Sequence, residues 1–490
     1  MKTTTEGQQW TEASGLQSGL PSRAVVSPSQ HQLSSTQVYD AIIVGAGYAG
    51  LIAARDLVLQ KIRVLLLEAR DRIGGRTWTS DIAGYPFEMG GTWVHWQQPH
   101  VFSELSRYRM EAQLDESQDY TDGVNYVTIA RETGHINISK DDAELALRRA
   151  FSVFCDVDGD MGKSVMRLPH TPLLNRTATS KWDDLSAQDR LLQIQDQLSE
   201  DELVYLKAWI LSIGGASLEG LGFLEILKWW ALCNHNSTTI TEYCAKWKLK
   251  NGQTSFASAI FAESVATGYL SFRFSCPVAK IQDSGIVVRA LSRDGQTYSG
   301  RSMISTLPLN VLNDVQFEPP LSNLKIRAAE IGHVNKAVKV HYEVTERNLR
   351  SWDGIAYPGT GLVGAYADGV TPAGNVHIVA FGAESTKLVP GNNIKKTKTA
   401  ITDMHPMTVK RMVFHDWTKD EFAKGAWCAY EAKFTHRFHA ALQEPQGLIR
   451  FASSDWADGW RGFIDGAIEQ GQRAAKNVAQ DLQLKRSANL

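Results

Sequence analysis

The chain has 490 residues, 43% of them hydrophobic, and a formal charge of −2, so it can bury a large core but carries no field that would hold nucleic acid or an anionic membrane surface. Five cysteines, at 155, 233, 244, 276 and 428, form no CxxC pair and no metal spacing with histidine, which fits free thiols in a reducing compartment. The expectation is a soluble protein with no secretory leader, membrane span or metal site, whose partners are small molecules.

Residues 1–37 are rich in Ser, Thr, Gln and Gly and read as an extended arm, lying on the surface or loose. From Val38 a buried strand (VYDAIIVGAG), a helix (YAGLIAARDLVLQ) and a second strand (RVLLLEA) make a βαβ unit on a parallel sheet. Between about 139 and 245 the apolar spacing turns helical, in DDAELALRRAFSVF, SAQDRLLQIQDQLSEDELVYLKAWILSIGG and LGFLEILKWWALC. Alternation returns near 270 in FRFSCPVAKIQ, GIVVRAL and SMISTLP. It dominates from 333 to 433 in VNKAVKVHYEV, NVHIVAFGAE, VKRMVFHDW and GAWCAYEAK, and the helix GAIEQGQRAAKNVAQDLQ comes last.

GAGYAG puts Gly45, Gly47 and Gly50 in GxGxxG spacing after a strand and at the start of a helix, with Glu68 ending the second strand. Gly45 makes the tight turn, Gly47 admits a pyrophosphate to the backbone and Gly50 lets helix and strand close up. The helix start at Tyr48 and Ala49 stabilises phosphate charge, and Glu68 is placed to accept from ribose hydroxyls. Two further motifs exceed what an NAD domain needs: EARDRIGGR (Glu68, Ala69, Arg70, Arg72, Gly74, Gly75, Arg76) and EMGGTW (Glu88, Gly90, Gly91, Thr92, Trp93).

In these motifs the sequence resembles the flavin amine oxidase family, whose signature beyond the Rossmann loop is ExxxRxGGR. The resemblance implies FAD, with Arg72 and Arg76 against the pyrophosphate and the GG turns beside the flavin ring. It extends to WADGWRGFIDGAIEQGQRAA, implying a helix starting near Gly466 and Ala467 that points its N–H groups at the flavin, and it adds Val278, Trp417, Ala426 and Asp455 to the cofactor contacts. The fold it implies is α/β: a Rossmann-like FAD-binding domain (38–115, 251–310 and 425–483) interleaved with an α+β substrate domain (116–250 and 311–424), between the arm 1–37 and a tail 484–490.

In monoamine-type members two upright aromatic rings flank the amine, and the matching positions are Trp427 and Phe463. Lys336 matches the family lysine that holds a water against the flavin; alternation puts Lys339 on the opposite strand face, and register favours Lys336. Mitochondrial members carry a flavin-bonded cysteine where this chain has Ala426, so the FAD is expected to be non-covalent, although Cys428 would share a strand face with Ala426.

Within the family the chain resembles the fungal monoamine oxidase N and fumonisin amine oxidase group, through its QWT, GGTWVHW, WWA, AKGAW and WRGFIDGAIE segments. Alignment to that group gives a pocket of Trp209, Ser212, Thr241, Ala245, Asn335, Phe381 and Glu384, which points to a large, wet site and an aminopolyol as one substrate. The implied reaction is oxidative deamination of a primary amine by hydride transfer to the flavin, with oxygen as acceptor and a carbonyl, ammonia and hydrogen peroxide as products. An L-amino-acid or polyamine oxidase is the alternative on the same fold. An amine and O2 are the expected partners, and a homodimer is left open. The closing Ala488–Asn489–Leu490 resembles a degenerate peroxisomal tail, with the cytoplasm as the alternative address.

Overall fold

A computed structural model of the chain describes residues 1–27, 37–118 and 121–487, so the expected targeting tail lies outside the described residues. Strands Leu270–Arg273, Val64–Leu67, Ala41–Val44, Met303–Ser305 and Ile449–Phe451 lie side by side in that order, every pair parallel. AIIV and VLLL are unbroken apolar runs because both faces of this sheet are covered. Helices Tyr48–Val58 and Ile464–Ser487 pack on one face and on each other. On the other, Ile42 and Leu65 share a core with Ile281 and Val288, which belong to a five-stranded sheet of Gln316–Glu318, Val278–Asp283, Val288–Ser292, Thr297–Gly300 and Val38–Tyr39.

The second layer is a nine-stranded sheet. Its order is Gly134–Ser139, Tyr126–Arg131, Asp353–Ala356, Gly364–Val370, Val376–Gly382, Val338–Val344, Val409–Phe414, Lys2–Thr11 and Gly15–Ser22. A block of helices packs against one of its faces, where Ile129, Ile355 and Val363 share a core with Leu206 and Ile210. In that block, helix Glu200–Gly214 lies against strands Asp353–Ala356, Gly364–Val370 and Val376–Gly382. Ser199 and Glu202 close a capping box at its start, and Gly215 ends it in the left-handed conformation (φ +61°). Among the described residues no helix is long and apolar enough to cross a membrane.

Two sequence expectations give way here. The N-terminal segment is no loose arm: Lys2–Thr11 and Gly15–Ser22 form a hairpin, and Gln8–Thr11 pair with Arg411–Phe414. The run SAQDRLLQIQDQLSEDELVYLKAWILSIGG is helical as its spacing implies, in two helices, Ala187–Ile194 and Glu200–Gly214, the second capped by Ser199. GAWCAYEAK is not a strand: its backbone bonds scatter, Gly425 N–H to the Trp417 carbonyl, Ala426 N–H to the Asn335 carbonyl and Val334 N–H to the Ala429 carbonyl, so no ladder forms.

Candidate cofactor and substrate site

One cavity of about 380 Å³ runs from the parallel sheet to the nine-stranded sheet. Its first part is lined by Gly45, Gly47, Tyr48 and Ala49, then by Glu68, Ala69 and Arg70, by Gly74, Gly75 and Arg76, and by Gly90, Gly91, Thr92 and Trp93, with Val278, Trp417, Ala426 and Ala467 completing the wall. Gly50 stays behind it: a Cβ there would stand 1.9 Å from the Gly45 carbonyl oxygen, so its task is close packing of the turn. Gly45 needs its left-handed φ of +108° to turn the chain.

The residues present fit a dinucleotide. Helix Tyr48–Val58 opens on Gly47 with no side-chain cap, so its first N–H groups face the cavity unclaimed by the protein's own side chains. Glu68 is buried, and its oxygens accept from Ala46 N–H at 2.6 Å and Arg70 N–H at 2.8 Å. Burial pushes its carboxyl pKa up, with the Arg70 guanidinium pulling the other way. Arg76 joins both ends of the chain, Nη1 donating to the Ala426 carbonyl at 3.0 Å and Nη2 pairing with Asp455 at 2.5 Å.

Several expected cofactor contacts stand behind the wall. Asp455 is fully buried and reaches Arg76 and Leu309 N–H instead of the cavity. Gly466 lies in the first turn of the last helix, where a Cβ would meet the Trp460 carbonyl at 2.3 Å, so it serves packing. Arg72 turns away to Glu6 and the Trp78 ring. Cys428 is buried with Sγ on the Asp455 carbonyl at 3.4 Å; the strand face it was to share with Ala426 does not exist.

Beyond the cofactor cradle the cavity passes Trp427 and Phe463. Trp427 Nε1 donates to the Ile213 carbonyl at 2.7 Å, and its ring meets Phe381 edge-on, 6.3 Å between centroids. Phe463 is held between Trp229 at 4.8 Å and Trp460 at 5.0 Å. Trp209, Ser212, Thr241, Ala245 and Phe381 line this part as expected. Asn335 does not: it is fully buried, with Oδ1 accepting from Ala337 N–H. Glu384 does not either, being exposed at the turn Glu384–Thr386.

The lysines exchange places. Lys336 precedes the strand, which begins at Val338, and its Nζ donates to the Lys424 carbonyl at 2.6 Å outside the cavity wall. Lys339 lines the cavity, donating to Thr92 Oγ1 at 2.6 Å and the Gly90 carbonyl at 3.0 Å, 4.9 Å from the Trp93 ring centroid. Burial lowers its pKa, opposed by the Asp368 and Glu88 carboxyls. Register explains the exchange: Lys339 lies directly across from Phe381, Phe381 from Gly364 and Gly364 from Ile355, so the four share one face of the sheet. The next row, Asp353 opposite Tyr366, adds two more lining residues, and Gln118, Tyr205 and Trp229 are among the others that sequence reasoning missed. Tyr205, Trp209 and Ser212 recur at helical spacing on Glu200–Gly214, the signal that could have placed Tyr205.

A parallel-sheet dinucleotide cradle opening onto an aromatic chamber over a mixed sheet defines a flavin oxidoreductase architecture. Known proteins agree with it. The model of the flavin containing amine oxidoreductase family matches residues 48–479, and the chain belongs to that family; it is an FAD-dependent enzyme that oxidises amines. It is similar to pseudooxynicotine dehydrogenase of Pseudomonas sp, 33% identical over 462 residues covering 93% of this chain and 89% of the relative. With putrescine oxidase of Kocuria rosea the identity is 26% over 472 residues, covering 90% and 95%. A solved structure of putrescine oxidase bound to putrescine superposes with a TM-score of 0.74 at 21% identity, covering 91% of this chain and 99% of that one, so the amine oxidase fold is shared.

Proposed function

We propose that the enzyme deaminates a primary amine whose amine-bearing carbon enters the chamber between Trp427 and Phe463, with oxygen as electron acceptor and a carbonyl, ammonia and hydrogen peroxide as products. The observation that carries the reading is the continuity of one cavity from the GxGxxG turn to that aromatic pair. FAD, held without a covalent bond, supplies the two-electron acceptor. Trp427 and Phe463, each fixed by its own neighbours, exclude water and restrict the amine to one approach. Taking an ammonium out of water into this aromatic-walled chamber costs more than admitting the neutral amine, and so the chamber selects the neutral form. Lys339 takes the part expected of Lys336, holding a water with the donor its Gly90 and Thr92 bonds leave over.

For the substrate's tail, the reading is an extended chain bearing hydroxyls, an aminopolyol of the fumonisin kind. Ser212 Oγ is buried without a protein partner, and an alkyl tail would leave it so at a cost of about 1–3 kcal/mol. Asp353, held by Lys140 Nζ at 2.6 Å and by Gln118, adds a polar stretch of wall. Peroxide as product accords with the peroxisomal address proposed for the tail. Peroxide release measured on hexylamine, benzylamine and an aminopolyol is expected to be highest in kcat/KM for the last, and to rise with pH as each amine loses its proton. No turnover of the aminopolyol refutes the tail assignment, and a profile flat through the ammonium pKa refutes selection of the neutral amine.

A further inference from the structure

The N-terminal strand does more than lengthen a sheet. Its pairing with the second strand is regular at Lys2–Thr4 and again at Gln8–Thr11 but slips between them, where Gly7 takes a φ of +75°. The slip lets Glu6 reach the EARDRIGGR segment. There Glu6 Oε2 accepts from Arg72 Nε at 2.6 Å, and Oε1 pairs with Arg70.

Both guanidiniums are buried. Arg70 lines the cofactor cavity and shares Asp420, at 2.7 and 2.8 Å. Arg72 packs 4.7 Å from the centroid of the Trp78 ring, and among the described residues its carboxylate partner is Glu6. Arg72 Nη1 donates to the Gly75 carbonyl at 2.8 Å, and Gly75 backs onto Gly47, so closely that a Cβ on Gly75 would stand 3.2 Å from the Gly47 Cα. One carboxylate is thus joined through Arg70 to the cavity wall and through Arg72 to the glycine turns. Neighbouring bonds tie the same two segments: Thr4 Oγ1 donates to Asp71 at 2.7 Å, Ile73 N–H to the Ala24 carbonyl at 3.0 Å and Ser22 Oγ to the Thr79 carbonyl at 2.7 Å.

We infer that Glu6 is a positioning residue for FAD, and that the N-terminal hairpin belongs to the cofactor-binding apparatus. Two adjacent buried guanidiniums repel, and the carboxylate between them sets the position of both. Without it Arg72 has a buried charge to satisfy and the Gly74–Gly75 turn loses its brace. By linkage, FAD that orders the turn also orders the strand.

The test uses apoprotein of the parent, Glu6→Gln and Glu6→Asp, titrated with FAD by flavin fluorescence and melted with and without FAD. Glu6→Gln is expected to weaken FAD binding about tenfold or more, as loss of one charged buried partner does. Glu6→Asp is expected to fall between, and the FAD-induced rise in Tm to shrink in the same order. A Glu6 that serves folding alone lowers both melting temperatures together and leaves the FAD-induced rise and the dissociation constant as in the parent; that result overturns the inference. Should Glu6→Gln not fold, hydrogen exchange on the parent decides: FAD added to apoprotein should slow exchange of amides 2–11 together with 71–79, and unchanged exchange at 2–11 overturns it. None of these readouts involves an amine, so they stand or fall independently of the substrate reading.

Discussion

Three positions separate Lys336 from Lys339, and their surroundings decide which of them can do chemistry. Lys336 is spent on a carbonyl outside the wall, whereas Lys339 sits among Gly90, Thr92, Trp93 and Phe381 inside the cavity. Lys339→Met is therefore expected to slow reoxidation by oxygen about tenfold or more, equivalent to about 1.4 kcal/mol or more of barrier, while Lys336→Met stays near the parent rate. Stopped-flow reoxidation of both variants checks it, and the reverse order would return the part to Lys336. Gly45, Gly47, Gly74, Gly75, Gly90 and Gly91, the aromatic pair and Glu68 could be placed on the cavity from sequence because each belongs to a short local motif, whereas Gly466 of the closing motif stands behind the wall. The lysine could not, since its inward direction comes from pairing with Phe381, more than forty positions along the chain, and alternation alone says only that two residues of opposite parity face opposite ways.

At the scale of elements, helices and parallel strands were legible because their patterns are local, whereas the N-terminal hairpin was not. Its strands are polar and poor in β-branched apolar residues, so composition resembles that of a loose segment; its order comes from pairing with Val409–Phe414 and from Glu6 meeting two arginines. The Gly425–Lys433 stretch erred the other way, apolar enough for a strand but lacking a neighbour to pair with in register. The hairpin's ion pairs also carry a pH signature. Asp420 is held far below the ordinary carboxylate range by the His415 hydrogen bond and Arg70, despite burial, and Glu6 is held low by Arg72 and Arg70, again despite burial. Carboxyls depressed in the folded state stabilise it fully above their unfolded pKa, about 4, and that contribution is lost as pH falls below it. Acid titration monitored by flavin fluorescence should therefore show FAD retention steady from neutral pH down to about 5 and release steepening below about 4. Release centred near neutrality would contradict the assigned pairs.

Across the whole molecule, the cofactor sheet is assembled from strands near residues 42, 65, 271, 304 and 450, and the substrate sheet from strands that fall in the gaps between them and ahead of the first. The interleaving places Arg76 against Ala426 and Asp455, and Lys339 against Gly90, so every part of the chemistry depends on contacts between distant stretches of chain. Sequence motifs marked both ends of the cavity; in the wall between them Asp353 and Tyr366 come from one row of the sheet and Tyr205 from helix Glu200–Gly214 packed over it.

Mixing the purified yellow protein with a primary amine in the absence of oxygen tests the central claim most directly. Bleaching of the flavin absorbance, with one equivalent of carbonyl product formed per flavin and colour restored by oxygen with release of peroxide, is the predicted result. Flavin colour that persists in the presence of every amine tried, with no carbonyl formed, would contradict it.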